Sequence, residues 1–244
     1  MLDYAEEADR YDASRGGEPR AEAAAAAVLG LVPPGARTLL DVACGTGLVT
    51  RRLARNGLAV TGVDATERMA RMAAGRLPGA VVIGDSRQLP FPDASFDAVC
   101  AVWLLHLLSG EEETATVVGE CARVLRPGGV FVTTVDKAAA HDVGSDIDAV
   151  LADRPRRPSA DAAALVAGHA AGHGLHRIGA ARFRGHGQGR SPRSTVADLR
   201  RGWFTQLAPD APLSRRFAAE LARLPEQEVP RPDPEFTLHA YAKP

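Results

Sequence analysis

Residues Leu39–Ala54 read LLDVACGTGLVTRRLA. A short apolar run carries one acid near its end, two glycines flank a threonine, and apolar residues and arginines then follow at helical spacing. Strand, tight turn and helix in that order form the usual setting for a nucleotide-type cofactor, because the strand's carboxyl end and the helix start face one crevice. Gly45 and Gly47 let the backbone turn sharply and come close to a ligand.

The pattern repeats outward from this unit. TLLDVA, AVTGVD, AVVIGD, FDAVCAV and VFVTTVD read as strands, and LVTRRLARNG, ERMARMAAGR and EEETATVVGECARVL as helices between them. Such alternation marks a parallel sheet with helices on both faces, a doubly wound α/β fold. RPGG at 126–129 is expected to close the last of these helices and turn the chain into a strand. Beyond Asp136, DRPRRPSAD reads as a loop, DAAALVAGHAAGHGL as a helix and HRIGAARFRG as a strand. Helical patterns over TVADLRRGWFTQLA and APLSRRFAAELARL precede a final strand in FTLHAYAKP. The expected organisation is an N-terminal helical lid at 1–35, a cofactor-binding core at 36–185, a helical cap at 186–234 and the core's last strand at 235–244.

With 244 residues, 45% of them hydrophobic, the chain can bury a full core, and its formal charge of −1 provides no global field for nucleic acid or anionic membrane. The three cysteines, Cys44, Cys100 and Cys121, fall in apolar segments without a disulfide-like spacing, which points to a reducing compartment. The acidic, polar start lacks the basic-then-apolar pattern of a signal peptide, and no window is apolar enough to span a membrane. A cytoplasmic location is expected.

Three details separate this glycine turn from a dinucleotide site. Thr50 stands where the third glycine of G-x-G-x-x-G would be. Asp41, just ahead of the turn, suits a ligand carrying an ammonium and would repel a pyrophosphate. Asp85, in the GDS turn after the third strand, can accept from an adenine amino group, while Asp64 at the end of the second strand can accept from ribose hydroxyls.

LLDVACGTG, VTGVD, GDSRQLPFPDASFDAV and RVLRPGGVFVTT resemble the successive motifs of class I S-adenosylmethionine-dependent methyltransferases, in order and spacing, over roughly residues 4–136. The small-molecule branch that includes the quinone-biosynthesis enzymes is the most similar. The resemblance implies a Rossmann-like, mostly parallel seven-stranded sheet with an antiparallel last strand and a helical cap. It implies that the backbone around Ala43, Gly45 and Gly47 lies against the methionine part of the cofactor. Asp64 would bind the ribose, with Ala65 and Thr66 beside the adenine, which Asp85 and Ser86 would read. Ala101 and Val102 would pass near the methionine end, and Tyr11 and Arg15 would close over the cofactor from the N-terminus. Ala43 departs from the commonest motif, which has glycine there.

His106, after the fourth strand, and His141, after the fifth, are the candidate general bases, since imidazole titrates near neutrality. His169, His173 and His176 lack the glutamate of an H-E-x-x-H site, and Gly172 and Gly174 weaken their helix, so no metal is expected. Trp103, Phe183, Trp203, Phe204 and Phe217 are candidates for an apolar pocket under the cap, and Arg182 to Arg201 form a locally basic stretch. The expected activity is methyl transfer from S-adenosylmethionine, with S-adenosylhomocysteine as product, to a small-molecule oxygen, nitrogen or carbon nucleophile, by a monomer or homodimer. The alternatives are a nucleic-acid or protein methyltransferase, a protein that binds the cofactor without methylating, and an NAD-dependent oxidoreductase. Near-neutral charge and the sequence CAVW at the fourth strand's end argue against nucleic acid.

Overall fold

The computed structural model of the protein describes residues 12, 16–54, 57–156, 158–202 and 207–244. Seven strands form one sheet: β1 (Thr38–Val42), β2 (Ala59–Asp64), β3 (Val81–Ile83), β4 (Phe96–Ala101), β5 (Leu125–Val135), β6 (His176–Arg184) and β7 (Glu235–Ala242). Their order is β3-β2-β1-β4-β5-β7-β6. All neighbours from β3 to β5 are parallel, while β7 runs antiparallel to both β5 and β6. This is the Rossmann-like α/β class expected from the sequence, with β7 as its antiparallel strand. The strand order reverses between β1 and β4, which opens a crevice beyond their carboxyl ends.

Both sheet faces are covered, which is why the central strands read as continuous apolar runs. Successive side chains point to opposite faces. Leu40, Val42 and Val99 pack with Val117, Val118 and Cys121 of α4 (Glu111–Val124), numbered after α1 (Gly17–Leu31), α2 (Thr50–Leu53) and α3 (Glu67–Arg76). On the other face, Leu39, Ala98 and Cys100 meet Ala24, Ala25 and Val28 of α1. Alanine favours the helix intrinsically, and its small side chain lets α1 lie close against the sheet.

The remaining helices are α5 (Asp146–Val150), α6 (Ala163–Gly172), α7 (Pro192–Arg200) and α8 (Pro212–Leu221). From α5, α7 and α8, Ile147, Leu199, Phe217 and Leu221 form a separate buried cluster with Leu151. Ser191 starts α7 with a capping box: its hydroxyl accepts from the Ser194 amide, and the Ser194 hydroxyl accepts from the Ser191 amide. Arg231 pairs with Asp146 at 2.7 Å and so ties the segment before β7 to α5.

The structure differs from the sequence pattern in three places. RPGG is not a turn ahead of β5 but a bulge within it: Leu125 pairs with Phe96 and Val130 with Ala98, so the residues between are looped out. Pro127, which has no N–H to give the ladder, is accommodated there, and Arg126 anchors the bulge on Asp97 at 2.8 Å. The described helix α2 ends at Leu53, and α5 lies where no helix was expected. The basic stretch is largely neutralised, since Arg182, Arg184 and Arg193 pair with Glu235, Asp233 and Glu228. Cys44, Cys100 and Cys121 are buried free thiols, and among the described residues no helix is long and apolar enough to cross a membrane.

Candidate cofactor site

The turn after β1 holds three left-handed residues, Ala43 (φ 57°), Gly45 (56°) and Gly47 (76°). Its two glycines serve different ends. A Cβ on Gly45 would meet nothing within 4 Å, and the residue lines a cavity, so its bare backbone is open to a ligand. A Cβ on Gly47 would stand 2.9 Å from the Cα and Cβ of Ala73, so this glycine lets α3 pack on the turn.

Asp64, at the end of β2 and 8% exposed, is aimed by two backbone amides. Its Oδ2 accepts from Gly45 N–H and its Oδ1 from Thr66 N–H, both at 2.8 Å. Burial pushes the pKa of Asp64 up, against the lowering effect of those amides. Asp41 sits between Gly62 and Cys100 in the sheet register. It accepts from the Thr50 hydroxyl at 2.6 Å and the Cys100 thiol at 3.4 Å, and burial raises its pKa to about 6 despite these bonds. The position that would hold the third glycine of a dinucleotide motif thus supplies a hydroxyl to Asp41. Asp12 lies against the turn, accepting from the Thr46 hydroxyl at 2.6 Å and from Arg76 at 2.7 Å.

These groups border a cavity of about 240 Å³ over the sheet's carboxyl edge. Of the residues singled out in the sequence, Asp41, Ala43, Gly45, Asp64, Ala65, Thr66, Ser86 and Val102 line it. Gly47, Asp85, Ala101, His106 and His141 lie outside the lining. Ala101 is fully buried. The Asp85 carboxylate is taken up by Arg87, with Nη2 to Oδ2 at 2.6 Å and Nε to Oδ1 at 3.0 Å. His106 occupies a 3₁₀ turn between the lining residues Leu104 and Leu107. His141 ends another 3₁₀ turn, edge-on to Phe236 with ring centroids 5.6 Å apart, and borders a smaller cavity with Asp148, Arg190 and Arg231. Tyr11, Arg15, Trp203 and Phe204 lie outside the described residues. Phe217 is buried among the α5, α7 and α8 side chains, while Phe183 packs against Trp103.

Sequence reasoning missed Asp12, Arg20 and Leu107, and placed Trp103 only among several pocket aromatics. Arg20 is 7% exposed, with its guanidinium carbon 3.5 Å from the centroid of the Trp103 ring. The spacing of Arg20, Ala24 and Val28 puts Arg20 on the buried face of α1, a signal that was legible. Asp12 and Leu107 had no such local signature.

Asp12, Asp41 and Asp64 give this lining three carboxylates, and Arg20 is the one basic residue among its described members, so the field favours a cationic ligand. A sulfonium-bearing nucleoside fits this set: an acid at the end of β2 with lone pairs left for hydroxyls, a buried acid beside the turn, and the open cradle at Gly45.

The fold is Rossmann-like, with an acid-lined glycine turn at the carboxyl edge of its sheet. Residues 40–133 match the model of the methyltransferase domain family. The demethylmenaquinone methyltransferase of Tropheryma whipplei (strain Twist) is 42% identical over 100 residues, covering 38% of this chain and 39% of that one. The 27-O-demethylrifamycin SV methyltransferase of Amycolatopsis mediterranei is 39% identical over 99 residues, covering 37% and 35%. The match thus spans well under half the length of either curated relative. Over nearly the whole chain the fold is similar to that of a SAM-dependent methyltransferase from Thermotoga maritima, with a TM-score of 0.56, 16% identity, and coverage of 99% and 97%. Asp41, Gly45, Asp64, Ser86 and Trp103 fall inside the matched region, whereas Asp12 and Arg20 fall outside it.

Proposed function

We propose that the protein transfers a methyl group from S-adenosylmethionine to a small-molecule oxygen, nitrogen or carbon nucleophile by in-line displacement. The observation that carries this reading is the acid-lined cavity over the Gly45 turn, bordered by Asp41 and Asp64 within the region that matches the methyltransferase domain family. The curated relatives named for demethylmenaquinone and for a demethylrifamycin support a small-molecule acceptor.

When bound, S-adenosylmethionine supplies a methyl group on a positively charged sulfur that is a good leaving group. The protein's own tasks are then to bind, align and exclude water. Each Asp64 oxygen accepts one backbone amide and keeps lone-pair capacity for a ribose hydroxyl. Asp41 offers a carboxylate to a cationic group, and a cation nearby draws it toward the ionised form. Ala43 and Gly45 present backbone to the methionine part, with Val102 alongside and Ala101 buried behind it. Ala65, Thr66 and Ser86 border the adenine, whose amino group Asp85 meets once it leaves Arg87. Gly47 keeps α3 seated. His106 or His141 takes the proton where the acceptor must lose one, through a shift of its turn toward the cavity.

The N-terminal lid (1–35) and the helical cap (186–234) provide closure and acceptor choice around the core (36–185 and 235–244). The protein works in the cytoplasm, as a monomer or homodimer, without nucleic acid or membrane. Calorimetric titration with S-adenosylmethionine, S-adenosylhomocysteine and NADH, repeated on Asp64→Ala, tests the reading. Saturable binding of the first two, weakened in the variant, supports it; preferential NADH binding or none at all refutes it.

A further inference from the structure

We propose that Asp41 and Asp64 together discriminate donor from product by charge, holding the sulfonium form in the cavity and releasing the neutral thioether that methyl transfer leaves. The proposal rests on the methyltransferase reading above.

The three carboxylates of the lining are not equivalent. Asp12 is offset by Arg76, which pairs with it at 2.7 Å from the end of α3. Asp41 and Asp64 have no basic partner among the described residues. Asp41 is met by the Thr50 hydroxyl and the Cys100 thiol, and its neighbours in the sheet register, Gly62 of β2 and Cys100 of β4, bring no cation. Asp64 is met by the Gly45 and Thr66 amides. Arg20, the basic member of the same lining, lies over the Trp103 ring, and its single charge leaves the lining negative when both acids are ionised.

Two buried acids that share a cavity without a base repel each other and have lost hydration, so their ionised forms are unfavourable until a cation arrives. The direction of their pKa values agrees: burial raises both, Asp41 to about 6, and Asp64 adds to the rise of Asp41. A cationic ligand offsets repulsion and lost hydration together, and a neutral one offsets neither. The reaction turns on that difference. As methyl transfer proceeds, the acceptor's electron pair forms the new bond to the methyl carbon, and the pair of the broken sulfur–carbon bond stays on sulfur. The sulfonium becomes a neutral thioether, and the positive charge passes to the acceptor, which carries it away or sheds it as a proton. Donor and product thus differ by one methyl in shape but by a full charge in the field of Asp41 and Asp64.

The test is calorimetric titration of the full chain with S-adenosylmethionine, sinefungin and S-adenosylhomocysteine at about pH 7.5, where both acids ionise readily beside a cation. Sinefungin carries an ammonium in place of the methylated sulfonium and has no methyl to transfer. Both cations are expected to bind about tenfold tighter than S-adenosylhomocysteine, the scale of one charge interaction at a partly buried site. Asp41→Asn is expected to lose most of that preference by weakening the two cations more than the product. Asp12→Asn is expected to keep it, since Arg76 already offsets that acid. A second readout needs no variant: at about pH 6, in buffers of different ionisation enthalpy, the wild-type protein is expected to release protons on binding either cation and few on binding the product. The charged and titratable groups around Asp41 are Asp64, Cys44, Cys100, Asp12 and Arg20. Burial keeps both thiols neutral, and arginine stays protonated, so the released proton comes from the acids. Product binding as tight as that of either cation overturns the proposal, as does a preference that survives Asp41→Asn, an equal loss for all three ligands, or equal proton release with donor and product. A preference lost in Asp12→Asn and kept in Asp41→Asn also overturns it, by moving the role to the paired acid. Failure of the wild-type protein to bind any of the three would instead remove the methyltransferase reading itself.

Discussion

The Gly45 amide donates to the Asp64 carboxylate at 2.8 Å, so the acid that ends β2 is oriented by the turn that follows β1. The same carboxylate braces the turn and has capacity left for a ligand hydroxyl, which under the proposed function is that of the ribose. Asp64→Asn keeps the shape but replaces one acceptor oxygen with a donor that faces an N–H. Hydrogen bonds to a charged group contribute about 1.5–3 kcal/mol, so S-adenosylhomocysteine affinity is expected to fall about 10- to 100-fold by calorimetry. A variant that binds as tightly as wild type would remove Asp64 from the ligand.

The two glycines of the turn should respond differently to alanine. At Gly47 the new methyl meets the Ala73 backbone in a left-handed conformation, combining overpacking with strain, and a loss of about 3 kcal/mol is expected. That corresponds to a fall in Tm of roughly 6–12 °C. At Gly45 the methyl finds open space, so only the conformational cost of about 1–2 kcal/mol remains. Its main effect should be on ligand binding, since the methyl would stand in the cavity. Thermal unfolding beside calorimetry separates the two, and equal losses of stability would contradict the assignment.

The sheet and the glycine turn were legible because strand and helix periods, with turn residues between them, are local signals. Asp41, Gly45 and Asp64 were found for the same reason, each standing at the end of a recognisable strand or in its turn. The Arg20–Trp103 stack was not, because it joins residues 83 apart in the chain that meet only once α1 lies across the sheet. Trp103 gave no warning of φ 59°, since a large aromatic is an unusual choice for left-handed backbone. RPGG misled in the opposite way, because its turn-like composition serves here to bulge a strand.

Arg87 holds the Asp85 carboxylate through three side-chain hydrogen bonds, and Asp85 also accepts from the Arg87 amide. If Asp85 reads the adenine amino group, that exposed ion pair must open first. Removing the competitor with Arg87→Ala is then expected to tighten S-adenosylhomocysteine binding about two- to fivefold, the scale of an exposed ion pair. Asp85→Asn should weaken it. An unchanged affinity in both variants would leave Asp85 as a structural brace of its turn, with Ser86 alone at the cavity.

Asp41 should impose a pH dependence on stability opposite in sign to that of Asp97. With a pKa of about 6 when folded, against an ordinary 3.8, Asp41 binds its proton more readily in the folded protein than in the unfolded chain. Stability therefore falls as pH rises from about 4 to 6, by an amount on the order of 3 kcal/mol, and this cost stays constant at higher pH. Burial alone would raise Asp97 as well, but Arg126 and the Arg37 and Thr38 amides hold it down to about 2, so its contribution is lost only as pH falls below about 4. Asp64, also raised by burial, adds to the Asp41 trend, and the buried Cys44 and Cys100 thiols stay neutral across this range. Urea unfolding of wild type and Asp41→Asn between pH 4 and 7 checks this. At pH 4 the variant is expected to be less stable, because its amide cannot accept from both Thr50 and Cys100, yet its stability should decline less from pH 4 to 6. A slope as steep as the wild type's would show that Asp41 is ionised at ordinary acidity in the folded protein and that burial alone does not govern it.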